Sequence, residues 1–151
     1  MYCIDTSAWL DGWNRFYPPK VFRKLWDTID ELVTAGEIIS AEEVYVELAK
    51  RDDDLHSWVK SRKTMLRPPE KAIQEAASAL LRKYPRLVDT LKNRSQADPF
   101  VIATAQLAQA TVVTGESFGT ALRPRIPFVC HAEGIPCINF LEMIIELKLT
   151  F

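Results

Sequence analysis

No stretch of the chain approaches the roughly 20 consecutive apolar residues that a bilayer-spanning helix requires. The N-terminus lacks a basic segment followed by an apolar one, which is the pattern of a secretory signal peptide. We therefore expect a cytoplasmic protein that does not bind membranes. Low-complexity tracts, internal repeats and linkers are also missing, and the length predicts a single domain that covers residues 1–151.

Cysteine and histidine are scarce, with three and two residues respectively. Cys3, Cys130 and Cys137 are odd in number and lack the spacing of a disulfide framework, which is typical of a reducing compartment. Cys130, His131 and Cys137 could act as zinc ligands, but a fourth ligand is not evident and the spacing fits no usual finger. We favour buried thiols and a surface histidine.

Phosphate-binding glycine loops are absent, because the five glycines form neither a G-x-G-x-x-G nor a Walker A pattern. A haloacid-dehalogenase-type phosphatase needs a second Asp two residues after the first, and Ser7 occupies that place after Asp5. A response-regulator receiver needs an adjacent pair of acids before its phosphorylated Asp. The run "DDD" at 52–54 follows a predicted helix rather than a strand, which argues against a receiver.

The net charge of −1 is unevenly distributed along the chain. The segment 60–94 carries ten basic and three acidic residues, which gives it a net charge of +7 and leaves −8 for the remainder. Such a distribution is compatible with a polyanion held near a carboxylate site, and the alternative is a solvated helical face. Lys92, Arg94 and Asp89 belong to this segment.

Short strands alternate with helices along the whole chain. The predicted strands are "YCID", "EII", "TVVTG" and "IPCIN", and the predicted helices cover 18–36, 40–51, 52–63, 68–84, 97–110, 126–134 and 140–149. This alternation predicts an α/β fold with a parallel sheet covered by helices on both faces. In such sheets, ligands bind outside the carboxyl ends of the strands.

Several helix starts carry capping residues. Asp5 or Thr6 can cap the helix after the first strand, and one of the aspartates at 52–54 can cap the helix there. In "SAEE", Ser40 is the predicted N-cap and Glu43, three residues later, completes a capping box.

Four acids are predicted to lie at the carboxyl edge of the sheet. Asp5 ends the first strand, Glu47 lies on the helix after the second, Asp98 opens the helix before "TVVT", and Glu116 follows that strand. Converging carboxylates repel one another unless a divalent cation binds them, and an all-oxygen set favours Mg²⁺ or Mn²⁺. Three of the acids have a structural alternative: Asp5 and Asp98 can be N-caps, and Glu116 can be a loop residue. Glu47, which lies close to the buried stripe of its helix, has none.

The segments "IDTSAWL", "SAEEVYVELAK", "ADPFVIATAQ" and "VVTGES" resemble, in this order, the PIN-domain ribonucleases, which include the VapC-type toxins of toxin–antitoxin pairs. The resemblance covers nearly the whole chain and is closest to a small prokaryotic PIN subfamily. It implies a three-layer α/β/α sandwich with a central parallel sheet of four or five strands. It also implies a carboxylate cluster that binds Mg²⁺ or Mn²⁺ and hydrolysis of single-stranded RNA.

By this resemblance, Asp5, Glu47, Asp98 and Glu116 are the catalytic acids and metal ligands. Glu116 departs from the family pattern, which usually has Asp in a T-x-D motif. The additional methylene allows Glu116 to reach the metal through water rather than directly. Three hydroxyl residues would orient the site or its water: Thr6, Ser7 and Thr114.

The resemblance also implies partners. A cognate antitoxin would cover the acidic cleft, and the chain would form a homodimer. The predicted contacts with the RNA backbone are Lys50, Arg51, Lys60 and Arg62. Trp13 and Trp58 are candidates for base stacking, with a core role as the alternative. The competing hypothesis for the whole chain is a PIN-like module that binds RNA or protein without cleaving it.

Overall fold

The computed structural model describes residues 1–88 and 96–150. The described strands are β1 (Tyr2–Ile4), β2 (Ile38–Ala41), β3 (Leu66–Arg67), β4 (Thr111–Val113) and β5 (Cys137–Ile138). They form one sheet in the order β3-β2-β1-β4-β5, and every neighbouring pair is parallel. Because β1 is central, the residue that follows it lies in the middle of the carboxyl edge.

Helices connect the strands and cover the sheet. They are α1 (Thr6–Leu10), α2 (Arg23–Thr34), α3 (Glu42–Leu48), α4 (Asp53–Lys60), α5 (Lys71–Lys83), α6 (Asp98–Ala108), α7 (Ile126–Glu133) and α8 (Phe140–Glu146). A π-helical turn, Asp11–Phe16, extends α1. Helix α6 contacts β1, β2 and β4 and is itself packed against α5, whereas α2 contacts β2. The three-layer α/β/α sandwich with a parallel sheet is confirmed.

Strand β3 and the π-helical turn were not among the predicted elements. Strand β3 has two residues, too few for a hydrophobic pattern to indicate a strand. It exists because Ser40 and Ala41 of β2 pair with Leu66 and Arg67. The π-helical turn depends on a hydrogen bond from the Tyr17 amide to the Gly12 carbonyl at 3.0 Å, five residues earlier.

The prediction that Ser40 caps α3 is wrong. Ser40 is the third residue of β2 and fully buried, and Ala41 is the N-cap of α3. The Ser40 hydroxyl donates a hydrogen bond to the Ile4 carbonyl at 2.7 Å and accepts one from Nε1 of Trp9 at 2.9 Å. The pairing of β2 with β3 extends the strand past Ser40, so the capping box with Glu43 does not form.

The other capping predictions hold at Asp5 and Asp52 but not at Asp98. Asp5 accepts a hydrogen bond from the Ala8 amide at the start of α1, and Asp52 accepts one from the Leu55 amide at the start of α4. Asp98 is the first residue of α6 rather than its N-cap, which is Ala97.

The tryptophans form an aromatic cluster beside α1. Trp9 is fully buried, and its ring centroid lies 6.2 Å from that of Trp26 and 5.5 Å from that of Trp58. Trp13 packs edge-on against Trp26 at 5.0 Å. Trp13 and Trp58 are half-buried in this cluster, which favours their core role over base stacking.

The remaining predictions concern cysteines, membranes and charge. Cys130 is buried, Cys137 is half-buried and His131 is exposed, as the interpretation without zinc requires. Within 1–88 and 96–150, no helix is long and apolar enough to cross a membrane. Of the basic segment, Asp89, Lys92 and Arg94 lie outside the described residues.

Candidate functional site

Asp5 lies at the centre of the site. It follows β1 directly and is 2% exposed. Its Oδ1 accepts hydrogen bonds from the Ala8 amide at 2.7 Å and from the Ser7 hydroxyl at 2.9 Å. Its Oδ2 accepts a short hydrogen bond of 2.6 Å from the Thr114 hydroxyl. The predicted positioning role of Ser7 and Thr114 therefore has a direct structural basis.

The buried position of Asp5 changes its acidity. The pKa of its carboxyl is raised overall from 3.8 to about 7, mainly by burial and to a smaller extent by the nearby negative charge of Glu116. The hydrogen bonds from Thr114, the Ala8 amide and Ser7 act in the opposite direction, because they stabilise the carboxylate. Burial has the largest effect, so Asp5 exchanges a proton near neutral pH.

Hydroxyl groups connect β1 to the segment after β4. The Ser7 hydroxyl accepts a hydrogen bond from the Gly115 amide at 2.9 Å, and the Thr114 hydroxyl accepts one from the Glu116 amide at 3.1 Å. Because Ser7 and Thr114 also bind Asp5, this network fixes the chain from 114 to 116 against the buried carboxylate.

Glu116 already has a cationic partner. Its Oε2 accepts from Nε of Arg125 at 3.2 Å, and its side chain is 11% exposed. The Ile126 amide, at the start of α7, approaches the same oxygen at 3.5 Å. The negative charge of Glu116 therefore repels that of Asp5, while the Glu116 carboxylate forms an ion pair with Arg125.

Glu47 and Asp98 approach the carboxyl edge from α3 and α6. Glu47 is half-buried and accepts a hydrogen bond of 2.8 Å from the hydroxyl of Thr6, the residue after Asp5. Asp98 is 8% exposed at the start of α6, a helix that runs back across the sheet to β4. Of the four predicted acids, the hydrogen bond of Thr6 joins Glu47, near the end of α3, to the residue after Asp5, whereas Asp98 has its own position at the first residue of α6.

Two further acids were missed as site residues. Without a capping box, Glu43 has a buried Oε1 that has no hydrogen-bond partner in 1–88 and 96–150, and burial raises its pKa. Asp11 extends its carboxylate towards Gly115 and Ser7, so closely that a Cβ on Gly115 would overlap its Oδ2. The spacing of four residues from Ser7 to Asp11, one helical turn, was the signal that could have identified Asp11.

The oxygen ligands at this edge are of the chemical type that a hard divalent cation binds, but they are not arranged to hold one. All candidate ligands are carboxylate or hydroxyl oxygens, which Mg²⁺ and Mn²⁺ prefer, and Glu43 offers a buried oxygen without a partner. Across the part of the chain that the structure describes, however, no three His, Cys, Asp or Glu side chains stand close enough together to hold a metal ion.

The comparisons with known proteins identify a family without assigning a reaction. Residues 2–151 match the family model described as "Domain of unknown function (DUF4411)". The chain belongs to this family. A comparison with curated proteins found no match. For this DUF4411 chain, the function must therefore be inferred from the residues at the carboxyl edge.

The four basic side chains that the DUF4411 chain is predicted to use for RNA differ in how freely they could bind a phosphate. Lys50, Arg51 and Lys60 are exposed. Arg62 binds Asp30 through two hydrogen bonds, at 2.6 and 3.1 Å, and its guanidinium lies 4.2 Å from the Trp58 ring centroid. Arg62 is therefore the weakest of the four candidates, because a phosphate would compete with Asp30 for it.

Replacing Gly115 with alanine should disturb the site. The added Cβ would overlap Oδ2 of Asp11 and lie 3.3 Å from the Ser7 hydroxyl, so both side chains must move. We expect Gly115→Ala to lower the free energy of unfolding by about 1–3 kcal/mol, the usual cost of overpacking. Urea unfolding measures the change. Adding Asp11→Ala should restore most of the loss, and equal losses in the single and double variants would contradict the overlap.

Proposed function

We propose that this protein is a Mg²⁺- or Mn²⁺-dependent endoribonuclease that hydrolyses phosphodiester bonds of single-stranded RNA. The observation that supports this most strongly is Asp5, a buried carboxylate at the end of the central strand whose pKa is raised to about 7. A buried carboxylate without an ion pair destabilises a fold, and strongly perturbed acids concentrate at functional sites. A hard cation at this edge would give the buried charge a partner.

The acids at the carboxyl edge have distinct expected roles. Asp5 and Asp98 would hold the ion, with Glu47 and Glu116 completing its ligands or holding a second ion. When bound, the ion supplies an activated water and neutralises charge on the phosphate. Thr114 and Ser7 hold the Asp5 carboxylate in place through hydrogen bonds, and Thr6 does the same for Glu47.

Two observations favour the second candidate, a non-catalytic PIN-like module that binds RNA or protein. In 1–88 and 96–150, the carboxylates form no group of three that is ready for a metal ion, and Glu116 is paired with Arg125. A module that only binds would need neither a metal nor a buried acid, so the two candidates differ in whether divalent cations change what happens to the RNA.

The expected partners follow from the toxin-like resemblance. We propose a cognate antitoxin that covers the acidic edge, and a homodimer. Helix α8 offers apolar surface for one of these contacts: Phe140, Met143 and Ile144 are buried in the core, whereas Leu141 and Ile145 are 51% and 64% exposed.

The test is cleavage of a mixed pool of single-stranded RNA by the purified chain, freed of any antitoxin by denaturation and refolding. We expect internal cleavage with Mg²⁺ or Mn²⁺ and none with EDTA. Sequencing of the product ends would then identify the target. Folded protein that binds the pool but leaves it intact with both metals would favour the non-catalytic module.

A further inference from the structure

A cleft adjoins the carboxyl edge on the side of the π-helical turn. It has a volume of about 450 Å³, which lies within the roughly 300–1,000 Å³ of pockets that bind small ligands. Its wall includes the segment 114–116, so it is continuous with the candidate site. Its lining also includes Asp11, Arg15, Phe16, Tyr17, Asn139 and Phe140.

The floor of the cleft is fixed by packing. The rings of Tyr17 and Phe140 stack with centroids 5.7 Å apart and an interplanar angle of 23°. Phe140 is 3% exposed, and a Cβ on Gly12 would lie 2.7 Å from its ring, so only glycine allows the π-helical turn to approach this closely. The Tyr17 carbonyl accepts a hydrogen bond from Nε1 of Trp26 at 2.6 Å. The cleft is thus formed before any ligand binds.

The rim of the cleft is exposed and carries a cation beside an aromatic ring. Phe16 is 56% exposed. The guanidinium of Arg15 lies 5.8 Å from the centroid of that ring, and its side chain is 72% exposed. π-Helical turns are rare and occur frequently at functional sites, and this one presents both side chains.

Polar groups lie at the same cleft. Asp11 provides a carboxylate acceptor, 3.5 Å from Nη1 of Arg15. The side-chain oxygen of Asn139 caps α8 by accepting from the Glu142 amide at 2.8 Å, and within the described ranges its side-chain nitrogen has no protein partner. A flat apolar surface beside a few donors and acceptors is the chemistry that recognises an unstacked nucleobase.

We propose that this cleft binds one nucleobase of the single-stranded RNA substrate, next to the phosphate that reaches the carboxyl edge. Phe16 stacks on the base, and Arg15 binds the adjoining phosphate. This inference rests on the proposed function for the identity of its ligand. It assigns the contact to Phe16 and Arg15, rather than to Trp13 and Trp58, which pack in the tryptophan cluster.

The experiment measures binding without cleavage. Fluorescence anisotropy with a labelled oligouridylate of about eight nucleotides, a typical length for a single-strand site, is recorded in EDTA so that the RNA stays intact. We expect Phe16→Ala to raise Kd roughly 5- to 100-fold, the range for loss of one stacked base. Phe16→Tyr keeps the ring and should bind like the wild type.

Arg15→Ala has a separate signature. Loss of one phosphate contact should lower the slope of log Kd against log salt by about 0.7 in magnitude, the value for single strands. Lys24→Ala removes one exposed charge from α2 and should leave the slope unchanged. Leu122→Ala is the matched control for Phe16, because it truncates an apolar side chain that is 79% exposed and does not line this cleft.

The outcomes separate this inference from the proposed function. Equal Kd values for Phe16→Ala and the wild type, or no binding of the oligonucleotide by the wild type, would overturn the base-binding cleft even if the chain cleaves RNA. Weaker binding by Phe16→Ala, with an unchanged unfolding midpoint, would support the cleft even if no metal induces cleavage. An equal loss in Leu122→Ala would also overturn it, because the effect would not be local.

Discussion

Asp5→Asn should reduce metal-dependent RNA cleavage by roughly two to four orders of magnitude, because a neutral amide binds Mg²⁺ poorly and an ion at this edge is expected to contribute several kcal/mol to the transition state. Single-turnover cleavage of a labelled RNA, with Mg²⁺ or Mn²⁺ in excess, measures the rate. Asp27→Asn, at an exposed position on α2, is the matched control and should cleave like the wild type. Unchanged cleavage by folded Asp5→Asn would remove Asp5 from the site.

The same substitution should make the protein more stable at high pH in EDTA. The pKa of Asp5 is about 7 in the folded chain, against the ordinary value of 3.8 for an aspartate in the unfolded chain. Between these values the folded state retains a proton that the unfolded state has lost, so the free energy of unfolding falls as pH rises and levels off above pH 7. At about 1.4 kcal/mol for each pKa unit, the total is about 4 kcal/mol.

Urea unfolding of both proteins at several pH values isolates this contribution. The two curves should run close together near pH 4, and Asp5→Asn should be more stable by up to about 4 kcal/mol at pH 8. The asparagine can still accept from the Ala8 amide, and the hydroxyls of Ser7 and Thr114 can rotate to accept from its amide nitrogen. Excess Mg²⁺ should stabilise only the wild type. A pH-independent difference between the two proteins would show that Asp5 is not a buried, near-neutral acid.

Trp9→Ala should have the largest effect on stability. Trp9 is fully buried between Trp26 and Trp58, and truncating such a side chain costs about 3–5 kcal/mol. The hydroxyl of Ser40 also loses its donor, although it keeps its own hydrogen bond to the Ile4 carbonyl. Since typical domains are stable by about 5–15 kcal/mol, we expect a substantial unfolded fraction at 37 °C.

Urea denaturation followed by far-ultraviolet circular dichroism measures this loss without relying on tryptophan fluorescence. Trp9→Phe is the control, because it retains an aromatic ring against Trp26 and Trp58 and removes mainly the hydrogen bond to Ser40. It should cost less than half as much as Trp9→Ala. A loss below about 1 kcal/mol for Trp9→Ala would mean that the cluster can collapse into the vacated volume.

The sequence determined the alternation of strands and helices, because hydrophobic runs and the residues that start and end helices are local signals. Four of the five strands, and the caps at Asp5 and Asp52, follow from such signals. It also determined that Asp5 follows the first strand and Glu116 the strand Thr111–Val113, since these positions are read directly from the strand pattern. None of these results required contacts between distant segments.

Only the tertiary structure decided the role of residues whose partners lie far away in sequence. Ser40 has the pattern of a cap, yet the pairing of β2 with β3 makes it a strand residue that binds Ile4 and Trp9. This change removes the capping role of Glu43. Likewise, the position of Asp11 beside Gly115 depends on packing across the sheet edge.

The acidity of Asp5 was also decided by the tertiary structure. A sequence shows that a carboxylate ends a strand, but the pKa depends on how completely helices and neighbouring chain exclude water and on which hydroxyls reach the oxygens. Here burial dominates over the hydrogen bonds from Thr114 and Ser7. The sequence pattern therefore identified Asp5 as a candidate, and three-dimensional packing gave it the raised pKa from which a function can be inferred.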